Sequence, residues 1–332
     1  MAAGGRVQRA GAVRWVNKST PNQSLHKTSG ESNGSYLHRS LRPAWLLNGV
    51  VLRRIWLIPF RVALAAVTAA IVPLLGARAG DDVKPLVVGE TFGIASKGLG
   101  ERRRINVYLP PGYAEARELR FPVLYMPDGG LAEDFLHIAG LVQVGVGNET
   151  MRPFVLVGIE NTERRRDLTG PTKNAADKKV AKVVGKSATF RAFLRDELKP
   201  EINRRYRTTK ETAIVGESLA GLFVVETFLL EPELFDTYIA VDPSLWWNDQ
   251  ELVNGAAERL RSRPGLKKTL YVAQSGEEKA EGVAKRFAEV LRKEAPAGVR
   301  WHFQLRPDEK HATVFHPAAL TAFRTVFKPD VR

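Results

Sequence analysis

Residues 212–221 read T-A-I-V-G-E-S-L-A-G, and the segment Leu222 to Leu230 that follows is largely apolar. A short apolar run, a cluster of small residues and a second apolar run predict a buried strand, a tight turn and a helix. This is the setting of a nucleophile elbow, with Ser218 at the apex of a strained turn. Small residues at Gly216 and Ala220 let strand and helix pass close together. The helix that follows would point its amide-rich N-terminus at developing negative charge. The pattern is G-x-S-x-A, with Gly221 directly after it, in place of the commoner G-x-S-x-G. The plainer reading of the same residues is a strand-to-helix turn whose serine caps the helix.

On either side of this stretch, strands are expected at Glu90–Ser96, Arg103–Leu109, Phe121–Met126, Phe154–Ile159, Thr237–Val241, Thr269–Ala273 and Val299–Leu305. Ile105, Val107 and Leu109 alternate with Asn106 and Tyr108, the two-residue period of a strand. Helices are expected over Ser187–Tyr206 with an interruption at Pro200, over Asp249–Leu260 and Lys279–Glu294, and from Pro317 onward. From Phe121 on, strands alternate with helices or helix-length crossovers. This predicts an α/β fold with a mostly parallel central sheet, helices on both faces and an antiparallel N-terminal edge. No internal repeat and no second globular domain are expected.

The 332 residues carry a net charge of +14, unevenly spread. Residues 1–79 hold 11 Lys and Arg and a single acid, Glu31, while residues 80–332 hold 39 bases and 35 acids. The body is therefore only mildly basic, and no nucleic-acid surface is expected. The absence of cysteine excludes disulfides, thiol catalysis and cysteine metal sites.

Residues 1–51 are polar, basic and without apolar period, and read as a disordered extension. Residues 52–79 combine Arg53, Arg54 and Arg61, an apolar run from Val62 to Leu75, and Ala77-Arg78-Ala79. That is the build of a secretory signal peptide. The apolar run is short for a membrane span and holds Pro73, so stable membrane insertion after cleavage is not expected. A signal peptide normally begins close to its charges, and a translation start near Val50 or Val51 would account for the extra residues. The globular body is then 80–332, in the periplasm or outside the cell.

A serine hydrolase of this fold needs serine, acid and histidine in that chain order. The histidine removes the serine proton, and the acid holds the histidine. After residue 79 there are four histidines. His137 precedes Ser218, His302 lies inside a strand, and His316 opens a helix. His311 follows the last strand, where this fold carries its base. For the acid, Glu277 is preferred and Glu278 comes second, because their loop follows the strand that usually carries it; Asp242, one strand earlier, is the third candidate. An oxyanion hole is expected from the N–H of Leu219 and from the loop holding Gly129 and Gly130. Arg165 and Arg166, in the run Arg164–Arg166, and the pair Trp246 and Trp247 are candidate substrate contacts at the carboxyl edge of the sheet. Surface charge and ordinary packing are the plainer readings of both.

Several pieces together go beyond one motif. R-R-I-N-V-Y-L-P-P-G-Y at 103–113, L-Y-M-P-D-G at 124–129, R-R-R-D-L-T at 164–169, G-E-S-L-A-G-L-F at 216–223, D-P-S-L-W-W-N at 242–248 and H-A-T-V-F-H-P at 311–317 occur in order. From about Gly89 to the end, the chain resembles the esterase family of α/β hydrolases that includes enterobactin (enterochelin) esterases and esterase D-like enzymes. The resemblance implies hydrolysis of a small-molecule carboxylic ester through an acyl-serine, without metal or organic cofactor, with Ser218 as nucleophile and His311 as base. It leaves the acid open, since some members work with a weak or absent third member. Siderophore-like or aryl esters are the expected substrates. An acyltransferase on the same scaffold and a non-catalytic binding protein are the alternatives. The expectation for the leader is direct: N-terminal sequencing of the exported protein should begin at Gly80, and an exported chain still carrying Met1 would refute cleavage after Ala79.

Overall fold

Alternating apolar residues send each central strand's side chains to both faces of one sheet. In β3 (Phe121–Pro127), Val123 and Tyr125 enter one core, while Leu124 and Met126 enter the core on the other side. The computed structural model describes residues 84–277 and 282–329, all within the compact unit Gly80–Arg332. The extension expected over 1–51 and the signal peptide expected over 52–79 lie outside the described residues.

In chain order the elements are β1 (Glu90–Ser96), β2 (Glu101–Tyr108), β3, α1 (Phe135–Gly147), β4 (Val155–Ile159), α2 (Arg164–Asp167), α3 (Ser187–Phe193), α4 (Lys199–Arg205), β5 (Thr208–Glu217), α5 (Leu219–Leu230), β6 (Thr237–Val241), α6 (Glu251–Asn254), α7 (Ala256–Arg261), β7 (Thr269–Ser275), α8 (Val283–Glu294), β8 (Arg300–Arg306) and α9 (Phe315–Val326). The strands form one sheet in the order β1-β2-β4-β3-β5-β6-β7-β8. The β1–β2 and β2–β4 pairs are antiparallel and the remaining pairs are parallel. One face is packed by α3, α4, α5, α7 and α8, the other by α1 and α9. This is the α/β-hydrolase fold with its antiparallel N-terminal edge. The strand order reverses between β3 and β5, which opens a crevice at their carboxyl ends.

Three local departures from the sequence expectation have physical causes. Residues 187–205 stay helical through Pro200, but a π-turn at Leu194–Leu198 intervenes. A proline lacks its N–H and crowds the carbonyl four residues back, and the wider turn relieves both. The helix expected over Asp249–Leu260 is broken. Asn248, Asp249 and Gln250 all have positive φ, which short amide and carboxyl side chains tolerate best. The segment after α2 holds the first two there: Asn248 N–H donates to Asp177 Oδ2 at 2.8 Å, and Asn174 Nδ2 donates to Asp249 Oδ1 at 2.7 Å. Helix α1 was not distinguished in the sequence, because its apolar residues run almost continuously and blur the helical period.

The β5–α5 joint is tight. A Cβ added at Gly216 would sit 2.7 Å from the Ala220 carbonyl carbon and from its Cβ. Gly216→Ala is therefore expected to lower the unfolding free energy by roughly 1–3 kcal/mol, read from the urea midpoint of residues 80–332. An unchanged midpoint would mean that strand and helix can move apart freely.

Candidate active site

Ser218 sits between β5 and α5 with φ 58° and ψ −119°, a conformation that L-residues rarely adopt. Three backbone hydrogen bonds fix it. Its N–H donates to Val241 O at 3.0 Å, and its carbonyl accepts from Leu222 N–H at 2.9 Å and from Ser244 N–H at 3.0 Å. The hydroxyl makes no helix-capping bond. Among the described residues its hydrogen-bond neighbour is Ser244 Oγ at 3.4 Å. The capping-serine reading thus does not describe this residue, and the geometry is that of an elbow.

Asp242 follows β6, the strand beside β5, and also has positive φ. His311 Nδ1 lies 2.6 Å from Asp242 Oδ2. Ser275 at the end of β7 donates twice to the same carboxylate, from N–H at 2.7 Å and from Oγ at 2.9 Å. Burial pushes the Asp242 carboxyl up, but the bonds from His311 and Ser275 outweigh it and hold the group below its ordinary value. The Asp242 bond in turn raises the His311 imidazole above its usual value against the opposing effect of burial. A carboxylate at Nδ1 leaves Nε2 of the neutral ring as a proton acceptor.

This arrangement corrects the preferred acid. Glu277 does not meet the imidazole: its Oε2 accepts the backbone N–H of His311 at 2.8 Å, so it positions the loop. Glu278 lies outside the described residues. The carboxylate on the ring is Asp242, the candidate placed third. The signal for it lay in D-P-S, an acid directly at the end of the neighbouring strand, and the usual placement of the acid one strand later masked it.

The glycine loop also differs from expectation. Gly129 N–H is bonded to Ile159 O at 3.0 Å, and Gly130 N–H to Glu133 Oε2 at 2.7 Å. Gly129 is required for packing, since a Cβ there would lie 2.3 Å from Gly158 Cα. Leu219 N–H, in the first turn of α5, has no partner within its own helix, as expected for that position.

Of the proposed substrate contacts, two are committed elsewhere. Arg166 binds Glu101 and Asp167, and the neighbouring Arg103 is fully buried against the same two acids. Trp247 is buried and donates Nε1–H to Gly170 O at 2.9 Å, pinning the segment after α2 to the loop after β6. Arg165 is exposed, and among the described residues its guanidinium has no partner. Trp246 is 52% exposed. Arg164 makes a two-pronged pair with Asp128, both bonds 2.7 Å. Sequence reasoning missed Asp128, Asn161, Glu133 and Ser244 beside this edge. Asn161 Nδ2 donates to Asp128 Oδ1 at 2.5 Å and to Glu133 Oε1 at 2.9 Å. His302 lies in β8 and His316 in the first turn of α9, as expected. Among the described residues no group of three His, Cys, Asp or Glu is placed to hold a metal ion.

Residues 96–319, well over half of the chain, match the family described as "Putative esterase". The chain belongs to this family. It is 32% identical over 168 residues to the ferri-bacillibactin esterase BesA of Bacillus subtilis (strain 168), a match covering 45% of this chain and 56% of that protein. It is 34% identical over 171 residues to the siderophore triacetylfusarinine C esterase of Aspergillus fumigatus, covering 45% and 53%. The matches thus span about half the length of these curated relatives. Among solved structures, the IroE-like serine hydrolase from Shewanella oneidensis superimposes with a TM-score of 0.65 at 29% identity, covering 72% of this chain and 80% of that one. Family membership agrees with the resemblance read from the sequence.

The His311–Asp242 pair makes a spectroscopic prediction. In NMR titration of residues 80–332, the His311 ring should lose its proton above the ordinary histidine value of about 6.5, and Asp242→Asn should move that midpoint down. While Asp242 is ionised, the pair contributes its full stabilisation below the unfolded-state pKa of the ring and loses it as pH rises through the raised His311 value; it is lost at the acid end as pH falls through the lowered Asp242 value. An Asp242→Asn ring that titrates where the parent does would overturn the pairing.

Proposed function

We propose that this chain is an exported serine esterase that cleaves carboxylic esters of siderophore-like or aryl type through an acyl-Ser218 intermediate. The observation that carries the reading is the strained Ser218, its hydroxyl unused by the helix, with its N–H bonded to Val241, the residue before the Asp242 that holds His311. In this reading Ser218 Oγ attacks the ester carbonyl carbon while His311 Nε2 takes its proton. The tetrahedral oxyanion meets Leu219 N–H at the start of α5. The imidazolium then returns the proton to the leaving alkoxide, the C–O bond breaks, and water resolves the acyl-serine by the same steps. Asp242 holds the ring and balances its charge, and Glu277 fixes the loop that carries it. Gly130 N–H can serve as a second donor only after leaving Glu133; Gly129 N–H is already bonded.

Relatives named as siderophore esterases support the substrate class. Arg165 and Trp246 are the contacts that remain open for such a substrate, one cationic and one aromatic. The signal-like segment 52–79 supports export, and no described helix is long and apolar enough to cross a membrane.

The test uses residues 80–332 with 4-nitrophenyl acetate and butyrate, then iron-loaded trilactone and hydroxamate-ester siderophores followed by mass spectrometry. Ser218→Ala should lower kcat at least about 1,000-fold. Asp242→Asn should cost on the order of 100-fold or more, and Glu277→Gln distinctly less. Absence of turnover together with absence of Ser218 labelling by a fluorophosphonate would sink the serine-esterase reading. Turnover of nitrophenyl esters alone would sink the siderophore assignment.

A further inference from the structure

Glu217 ends β5 immediately before Ser218, and its side chain stands half-buried at the same carboxyl edge. Among the described residues no hydrogen bond or ion pair reaches its carboxylate. The charged groups that act on it come from several surrounding elements. They are His311 after β8, Asp242 after β6, Asp128 after β3, Asp134 ahead of α1, and Arg164 of α2. Carboxylates outnumber cations in this set. Its arginine is already spent on Asp128 in a two-pronged pair, and its histidine is paired with Asp242. A half-buried carboxylate among other carboxylates, with no cation of its own, is a costly arrangement for a fold to keep. An incoming positive charge would relieve it.

We propose that Glu217 is a specificity residue that favours esters carrying an ammonium group close to the scissile carbonyl over neutral ones, and disfavours anionic ones. The inference rests on the serine-esterase reading and sharpens its substrate class. With the nucleophile one residue away, a cation held by Glu217 lies beside the acyl centre. An ammonium in that position takes the place of the absent protein cation, in surroundings where a charge pair is screened less than in bulk water. Exposed Arg165 can still meet an anionic group farther out on the same ligand.

The charge state of Glu217 gives the inference a second readout. Burial pushes its carboxyl up to about 7, opposed by His311 and assisted by Asp134, Asp242 and Asp128. Below that pH the carboxyl is protonated and neutral and attracts no cation. Above it the carboxylate is formed, and selectivity for a cationic ester appears. Protonation of His311 affects every ester alike and cancels in a ratio of substrates.

The experiment compares 4-nitrophenyl esters of butyrate, 4-(trimethylammonio)butyrate and succinate on residues 80–332. The cation is permanent and its charge is independent of pH. The cationic-to-neutral ratio of kcat/KM should exceed one, rise as pH passes through about 7 and fall about tenfold in Glu217→Gln, equivalent to about 1.4 kcal/mol. The succinate ester should gain relative to butyrate in the same variant. A ratio that neither changes with pH nor differs in the variant overturns the proposal while leaving the esterase reading intact. If Glu217→Gln turns over no ester, the pH dependence of the parent ratio decides by itself. If the parent turns over none of the three and Ser218 is unlabelled by a fluorophosphonate, the esterase reading fails and takes this inference with it.

Discussion

The backbone of Ser218 is the constraint on which the carboxyl edge depends. A non-glycine residue at φ 58° and ψ −119° costs on the order of 1–3 kcal/mol and persists only where its neighbours hold it. Here the Val241 carbonyl and the Leu222 and Ser244 amides do so. The Val241 and Ser244 bonds tie the elbow to the loop after β6, and Asp242 belongs to that loop. The same fixation that strains Ser218 therefore places the carboxylate. Gly216 and Ala220 make it possible, because β5 and α5 approach until a single added methyl group would collide.

A second layer of order ties the loops to one another. Asp242 accepts from the end of β7 and from the ring that follows β8, so three consecutive carboxyl-end loops share one acceptor. Glu277 and the Gly276–Glu309 backbone bond fasten the β7 and β8 loops a second time. A mostly buried carboxylate surrounded by three donors keeps its charge, and this charge in turn raises the affinity of the His311 ring for a proton. On the other flank, Arg103 and Arg166 are locked with Glu101 and Asp167, while Arg164 is locked with Asp128. The basic run 164–166 thus contributes mostly internal neutralisation and exposes only Arg165.

Much of the architecture was legible in the chain. Strand positions followed from apolar runs that alternate faces, and the order of strands and crossovers followed from their spacing. Ser218 and His311 were legible from a turn motif and from position after the last strand. The helix over 249–260 was misread because the first two of three consecutive left-handed residues are held by side chains 71–76 positions earlier in the chain, which no local pattern reports. Trp246 and Trp247 are adjacent letters of one kind, yet one is half-exposed and the other buried on the Gly170 carbonyl. Tertiary contact alone separates them.

The acid was the main point that pattern could not resolve. Glu277 and Asp242 both stand just after strands that reach the same edge. The choice between them depends on which carboxylate reaches the His311 ring: Asp242, steadied by Ser275, meets Nδ1, whereas Glu277 meets the backbone N–H. The amides of Gly129 and Gly130 are both occupied, the first by the Ile159 carbonyl at the end of β4 and the second by the Glu133 carboxylate three residues on. Sequence alone determined the layered α/β fold, the elbow and the residue types available for chemistry, since these depend on local periodicity and on turn sterics. Tertiary structure decided which acid meets the base, which arginine is free and which carboxylate stands unpaired beside the nucleophile, because each depends on distances between segments far apart in the chain.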